Sequence, residues 1–247
     1  RNAEMALVFT EEPYGRYVTT EGTPHKDLYA VDLKTGDKKL IVKDLRGNPR
    51  ISPEAGYIIW WSDPDTALFA WNARRSEIVR LTDNRLAPFY DEENDVPDFP
   101  DAHGLAGWLG GDEAMIVYDK YDLWKMDPNG KKKPERLTKG RETQTTYRYL
   151  KLDPEERSIP ADASILLHQF HHPTKAEGYS WHSLKNGKTT QLSGGDFAYT
   201  KQPLKPKNAD YLLFSRGNYQ VFPDLQYLNY GNSAAKPAQI SQANPQQ

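Results

Sequence analysis

The chain has 247 residues, a net charge of −2 and a pI near 6.3. It is long enough to bury a core without staples and has no global basic field to draw nucleic acid. It has no cysteine, which excludes a disulfide framework and a thiolate nucleophile but leaves the compartment open. No apolar run approaches the roughly 20 residues that a membrane-spanning helix needs.

Aromatic residues make up 12% of the chain, with 18 prolines and 17 glycines, a mixture that suits short strands and tight turns. The chain opens on RNAEMALVF, without an initiator methionine and already entering an apolar segment. We read Arg1 as a cut inside a longer protein, which makes the missing targeting signal uninformative.

From there one pattern recurs: LYAVDLKTGDKKLIV from Leu28, LFAWNARRSEIVRLT from Leu68, LWKMDPNGKKKPERLT from Leu123, YSWHSLKNGKTTQLS from Tyr179 and LQYLNYGNSAAKPAQIS from Leu225. Each copy follows an apolar run: MALVF, GYIIWW, AMIVY, SILLHQF and DYLLF. Alternation of Leu28 and Ala30 against Tyr29 and Val31 marks a strand. Thr35-Gly36, Asn129-Gly130 and Asn186-Gly187 mark reversals; the usual Asn-Gly hairpin turn needs positive φ at both central residues. A unit of about four strands repeated every 40 to 56 residues or so has the period of a β-propeller blade.

The expected fold is therefore all-β, with blades near 4–45, 46–85, 104–140, 147–195 and 199–243 and an inter-blade loop at 86–103. A β-sandwich is the competing architecture. No long helix is expected; Asp153 to Arg157 is the best short candidate, interrupted by Pro154 and Pro160. Lys131, Lys132 and Lys133 follow a turn glycine and read as a solvated hairpin tip.

Catalytic chemistry is not visible. A nucleophile elbow needs G-x-S-x-G between strand and helix. GNSAA, from Gly231 to Ala235, ends on alanine, so Ser233 reads as a blade turn. His168, His171 and His172 are close in sequence, but strand alternation puts His171 and His172 on opposite faces. His25, His103 and His182 have no partner at ligand spacing. No metal or cofactor is expected.

The loop APFYDEENDVPDFPDAHG gathers Asp91, Glu92, Glu93, Asp95, Asp98 and Asp101, with no lysine or arginine between Arg85 and Lys120. The alternating Phe89, Tyr90, Val96, Pro97 and Phe99 indicate that something orders it. On one reading the aromatics anchor the loop and the acids stay solvated. On another, Asp91, Glu93 and Asp95 offer calcium oxygens at alternating positions, without the glycine and distal glutamate of an EF-hand.

RISPEAGYIIWW, PFYDEENDVPD, GLAGWLGGDEAMIVYDKYDLWKMDPNGKK, RYLKLDPEERSI and SQANPQQ together resemble the propeller of bacterial prolyl-oligopeptidase-type serine peptidases, including dipeptidyl-peptidase-like members. The likeness runs from about Leu28 to Gln247. It implies about five four-stranded blades of a seven- or eight-bladed ring, and a C-terminal α/β-hydrolase domain, absent here, that carries the catalytic triad. For the loop it implies a third reading: a glutamate pair, Glu92 and Glu93, flanked by Asp91 and Tyr90 and preceding Trp108, holds a peptide's terminal ammonium.

The function expected from the resemblance is a non-catalytic propeller portion of a serine exopeptidase or oligopeptidase, gating access and positioning the peptide amino terminus. The alternative is a stand-alone propeller that binds protein or glycan partners; a third reading is an enzyme with its own acid pair. Expected partners are the hydrolase domain, short peptides and, through exposed blade edges, a second copy, but not nucleic acid. The resemblance implies a periplasmic or secreted location.

Overall fold

A computed structural model describes residues 4–232 and 235–244. Every sheet in it is an antiparallel meander in chain order. The first has three strands, β1 (Met5–Thr10), β2 (His25–Asp32) and β3 (Lys38–Arg46). The second has four, β4 (Arg50–Ile51), β5 (Tyr57–Ser62), β6 (Ala67–Asn72) and β7 (Glu77–Arg80). The third holds β8 (Leu105–Trp108), β9 (Met115–Tyr118), β10 (Leu123–Met126) and β11 (Glu135–Arg136). The fourth holds β12 (Thr145–Tyr149), β13 (Ser164–His171), β14 (Glu177–Ser183) and β15 (Thr189–Gly195). The fifth holds β16 (Ala198–Tyr199), β17 (Tyr211–Gly217), β18 (Asp224–Asn229) and β19 (Ala238–Gln239).

The described residues form two compact units, one within 1–120 and 124–135 and the other within 121–123 and 136–247. In the first, β5 is buried on both faces. Ile58 and Trp60 pack with Leu28 of β2, whereas Ile59 packs with Trp108, Met115 and Trp124 of the third sheet. The second unit closes around Leu166, Tyr179, Leu212, Phe214 and Leu228. Strands with two apolar faces, stacked sheet on sheet, account for runs such as YIIWW that lack polar alternation.

The repeated Leu…Leu-Thr spacing has a structural cause. Leu81 N donates to Leu68 O, Leu137 N to Leu123 O and Ile240 N to Leu225 O, at 2.8, 2.8 and 2.9 Å. The next residue is a hydroxyl that accepts in return: Leu68 N to Thr82 Oγ1 at 2.8 Å, Leu123 N to Thr138 Oγ1 at 3.1 Å and Leu225 N to Ser241 Oγ at 2.9 Å. In the third and fifth sheets the hydroxyl also donates to a buried acid, Thr138 to Asp122 at 2.6 Å and Ser241 to Asp224 at 2.7 Å. One Thr or Ser thus ties the end of a sheet to the start of its third strand.

The turns depart from the sequence reading. Gly130 and Gly187 take positive φ, but Asn129 and Asn186 do not. The β14–β15 reversal is longer than two residues: Gly187 N donates to Ser183 O at 2.8 Å and Ser183 N to Lys188 O at 3.0 Å. Asn186 serves through its side chain, Oδ1 accepting from Lys188 N at 3.0 Å. The same reversal recurs at β6–β7 and β13–β14 with Ser76 and Lys175 in the left-handed position, at φ of 56° and 63°.

The candidate helix at Asp153 is a turn, closed by Glu156 N on Asp153 O at 3.1 Å. The α-helix among the described residues is α1 (Gly15–Glu21), inserted between β1 and β2. His25 fastens it, with Nε2 3.0 Å from Glu21 and Nδ1 2.6 Å from Asp44. No described helix is long and apolar enough to cross a membrane.

Candidate functional site

The acidic loop lies within the first unit, between β7 and β8, and it is ordered from its base outward. Phe89, 2% exposed, meets Trp124 edge-on at 5.6 Å. Asp91 N donates to Asp101 O at 2.8 Å and His103 N to Phe89 O at 3.0 Å, flanking a bridge between Tyr90 and Ala102. The Phe89 aromatic therefore does what its place among the acids indicated: it anchors.

The four expected site residues sit together. Tyr90 is half-buried at the bridge. Asp91 turns its Oδ1 back onto Glu93 N at 3.0 Å, and Asn94 N reaches Asp91 O at 3.4 Å. That Asx-type turn leaves Glu92 and Glu93 exposed at its tip. Behind the loop, Trp108 is buried and stacked on Tyr57 at 5.9 Å.

The sequence held no base inside the loop; the fold supplies two from outside. Lys120, just past β9, places Nζ 2.6 Å from Glu93 Oε1. Arg46, at the end of β3, donates from Nη2 to both Asp98 oxygens at 2.8 Å. Its Nε stands 3.5 Å from Asp63 Oδ2, and its guanidinium lies over the Phe99 ring at 5.4 Å. The idea that the loop's charge has no resident counter-ion is thereby corrected. Sequence reading missed Arg46, Asp63 and Lys120 because each lies in a different segment of the chain from the loop.

Local fields follow from this geometry. The Phe99 N–H, then Arg46, hold the Asp98 carboxyl below the usual carboxylate range. Burial pushes the Asp63 carboxyl up, Arg46 opposes the rise, and Asp101 and Asp98 add to it. Asp91, Glu93 and Asp95 do not form a cation cage: among the described residues no three acids or histidines gather as a metal site.

The histidines are occupied elsewhere. His168 Nε2 lies 3.0 Å from Glu177 Oε2, His171 Nδ1 2.7 Å from Thr174 Oγ1 and His172 Nε2 2.8 Å from Thr146 Oγ1. Ser233 lies outside the described residues. A second G-x-S stretch, GYSWH from Gly178, runs along β14, where Ser180 is buried and donates to Gln169 Oε1 at 2.6 Å. A buried strand serine bonded to Gln169 has none of the exposure of a nucleophile elbow.

Successive antiparallel meanders stacked through two-faced apolar strands define a chain of the β-propeller class. No family model and no curated protein matches it. Solved structures do. The chain is similar to one from Bacteroides ovatus described as a dipeptidyl aminopeptidase IV, at 12% identity and a TM-score of 0.58, over 90% of this chain and 33% of that one. It is also similar to a puromycin-hydrolyzing peptidase from Mycobacterium tuberculosis (10% identity, TM-score 0.45, 94% and 35% covered) and to TolB from Acinetobacter baumannii (11%, 0.43, 95% and 52%). The chain thus spans about half of the TolB structure and about a third of each peptidase. At 12% identity and a TM-score of 0.58, the likeness to the Bacteroides ovatus structure concerns the fold alone.

Proposed function

We propose that the chain is the non-catalytic propeller portion of a prolyl-oligopeptidase-type serine exopeptidase or oligopeptidase, and that Glu92 and Glu93 hold the terminal ammonium of a peptide. The observation that carries this reading is an acidic turn on a braced loop. Phe89 is buried against Trp124 at the base, and Asp91 fixes the backbone that presents the two glutamates.

Rigid presentation matters because an ammonium is recognised by carboxylates already in place. Lys120 already pairs with Glu93, so a bound ammonium would share that carboxylate with it. Charge-assisted contacts are worth about 1.5–3 kcal/mol when shielded, and solvent screening at these exposed glutamates lowers that to about 0.5–1.5 kcal/mol each. Asp91 and Tyr90 shape the turn. A hydrolase domain elsewhere in the parent chain would then receive the peptide's scissile bond at a fixed distance from its amino terminus. A periplasmic or secreted location goes with that role.

The test is calorimetric titration of the chain with a short free-amino peptide and its N-acetylated form. Binding should need the free amine, and Glu92→Gln or Glu93→Gln should weaken it about two- to ten-fold. Equal binding of both forms, or glutamine variants without effect, would refute the ammonium site. It would leave a propeller that serves as a binding module for other partners.

A further inference from the structure

Beneath the acidic loop, wholly within the first unit, lies a cavity of about 610 Å³ that the ammonium site does not use. Ile59, Leu68, Phe89 and Val117, with Trp60 and Trp61, provide apolar and aromatic walls. The volume falls in the range of small-ligand sites.

Two donors on residues that line this cavity are buried and meet no acceptor: the indole N–H of Trp61 and the Nε–H of Arg46. The Arg46 side chain is only 10% exposed, and its Nη2 is committed to Asp98 and to Thr23 Oγ1 at 3.2 Å. Its Nε is within ion-pair reach of Asp63 but makes no hydrogen bond. Buried donors without acceptors are unfavourable and rare in folded proteins. A guest that brings an acceptor into the cavity offers them a partner.

The charges at the wall decide what else the guest carries. Arg46, Arg50, Asp63, Asp98 and Asp101 line the cavity. Arg46 is matched by Asp98, which leaves Asp63 and Asp101 against an exposed Arg50. An anion would satisfy the two donors but face three carboxylates. A bare amine would suit the carboxylates but leave Trp61 and Arg46 unmet. An amide does both, since its carbonyl accepts and its N–H donates to a carboxylate.

We propose that this cavity binds an uncharged peptide amide group carrying an apolar side chain, as in an internal or blocked peptide segment. Trp61 and Arg46 take the carbonyl oxygen, Asp63 takes the amide N–H, and the aromatic wall takes the side chain. Because the guest has no ammonium, the site stands apart from Glu92 and Glu93.

The probes are N-acetyl-L-leucinamide, its acid N-acetyl-L-leucine and the bare amine 3-methylbutylamine, which keeps the apolar side chain but has no carbonyl, titrated into the ¹⁵N-labelled chain. The readout is the Trp61 indole N–H resonance, assigned on the unmodified chain. The neutral amide should give a saturable shift at millimolar concentrations, with the acid and the amine each at least about ten-fold weaker. Trp61→Phe keeps the ring, loses the donor, and should weaken calorimetric binding about five-fold. Asp63→Asn should recover binding of the acid, and the Glu92→Gln, Glu93→Gln pair should leave amide binding unchanged. No Trp61 shift at tens of millimolar, tighter binding of the amine, or equal response to all three probes would overturn the proposal.

Discussion

Lys120 Nζ lies 2.6 Å from Glu93 Oε1, so the acidic loop is countered by a base 27 residues further along the chain. The pair is unequal in setting: the lysine side chain is 16% exposed and the glutamate 71%. Solvent screening on the glutamate side keeps its worth to folding small. Lys120→Met should change unfolding free energy by less than about 1 kcal/mol in urea titration. It also removes the cation that competes with a bound ammonium. A unit charge about 4 Å away is worth roughly 1 kcal/mol in water, so a free-amino peptide should bind about five-fold tighter. Weaker binding would assign Lys120 to positioning Glu93 instead.

Asp122 carries the opposite economy, since it is fully buried and structural. Its carboxylate accepts from Thr138 Oγ1 at 2.6 Å and Arg141 N at 3.2 Å, with Gly140 N also bound and Arg136 Nε 3.8 Å away. Asp122→Ala leaves several buried donors unpaired and should cost about 3–5 kcal/mol. Thr138→Val loses one donor and one acceptor and should cost about 1–2 kcal/mol. Urea midpoints of the two variants, beside Glu93→Gln as an exposed control, check the ranking.

The blades were legible because an apolar run followed by strand, turn and strand recurs five times, and in three of those copies the same backbone and hydroxyl bonds close the unit. What stayed hidden did so for definable reasons. Helix α1 (GRYVTTE) buries none of its residues, so it leaves no apolar period to read. It is held by His25 between Glu21 and Asp44, contacts that only the fold creates. Within the loop, Tyr90 to Glu93 were singled out by the family resemblance, and they adjoin one another in sequence. Arg46 reaches Asp98 across 52 positions, and no pattern in either segment announces the other.

The hidden turns yield a prediction of their own. Ser76 and Lys175 occupy left-handed positions that glycine fills at Gly187 in an equivalent reversal. A side chain there costs roughly 1 kcal/mol, offset in part by the freedom that glycine gives the unfolded chain. Ser76→Gly and Lys175→Gly should each stabilise by up to about 0.5 kcal/mol, read as a small rise in Tm. Gly130→Ala should do the reverse and more strongly, because its φ is +65° and the new Cβ would stand 2.5 Å from Val79 Cγ1.

Acid sensitivity should come from two buried histidines. Burial holds the His182 imidazole below its ordinary value of 6.5. Its Nδ1 is 2.9 Å from Thr189 Oγ1, and its Nε2 is buried without a partner. Burial also depresses His168, though Glu177 opposes that shift. Both side chains are neutral in the fold and take up protons more readily once unfolded. The unfolded state thus binds more protons below the ordinary value, and stability rises with pH in that window. The contribution is complete above about pH 6.5 and is lost as pH falls from there through the depressed folded values. Urea midpoints measured from pH 7.5 down to 4.5 should decline below about pH 6.5. His182→Gln, whose side chain does not titrate, should flatten that decline even if it lowers stability at neutral pH. An unchanged slope in the variant would move the acid sensitivity to the carboxylates.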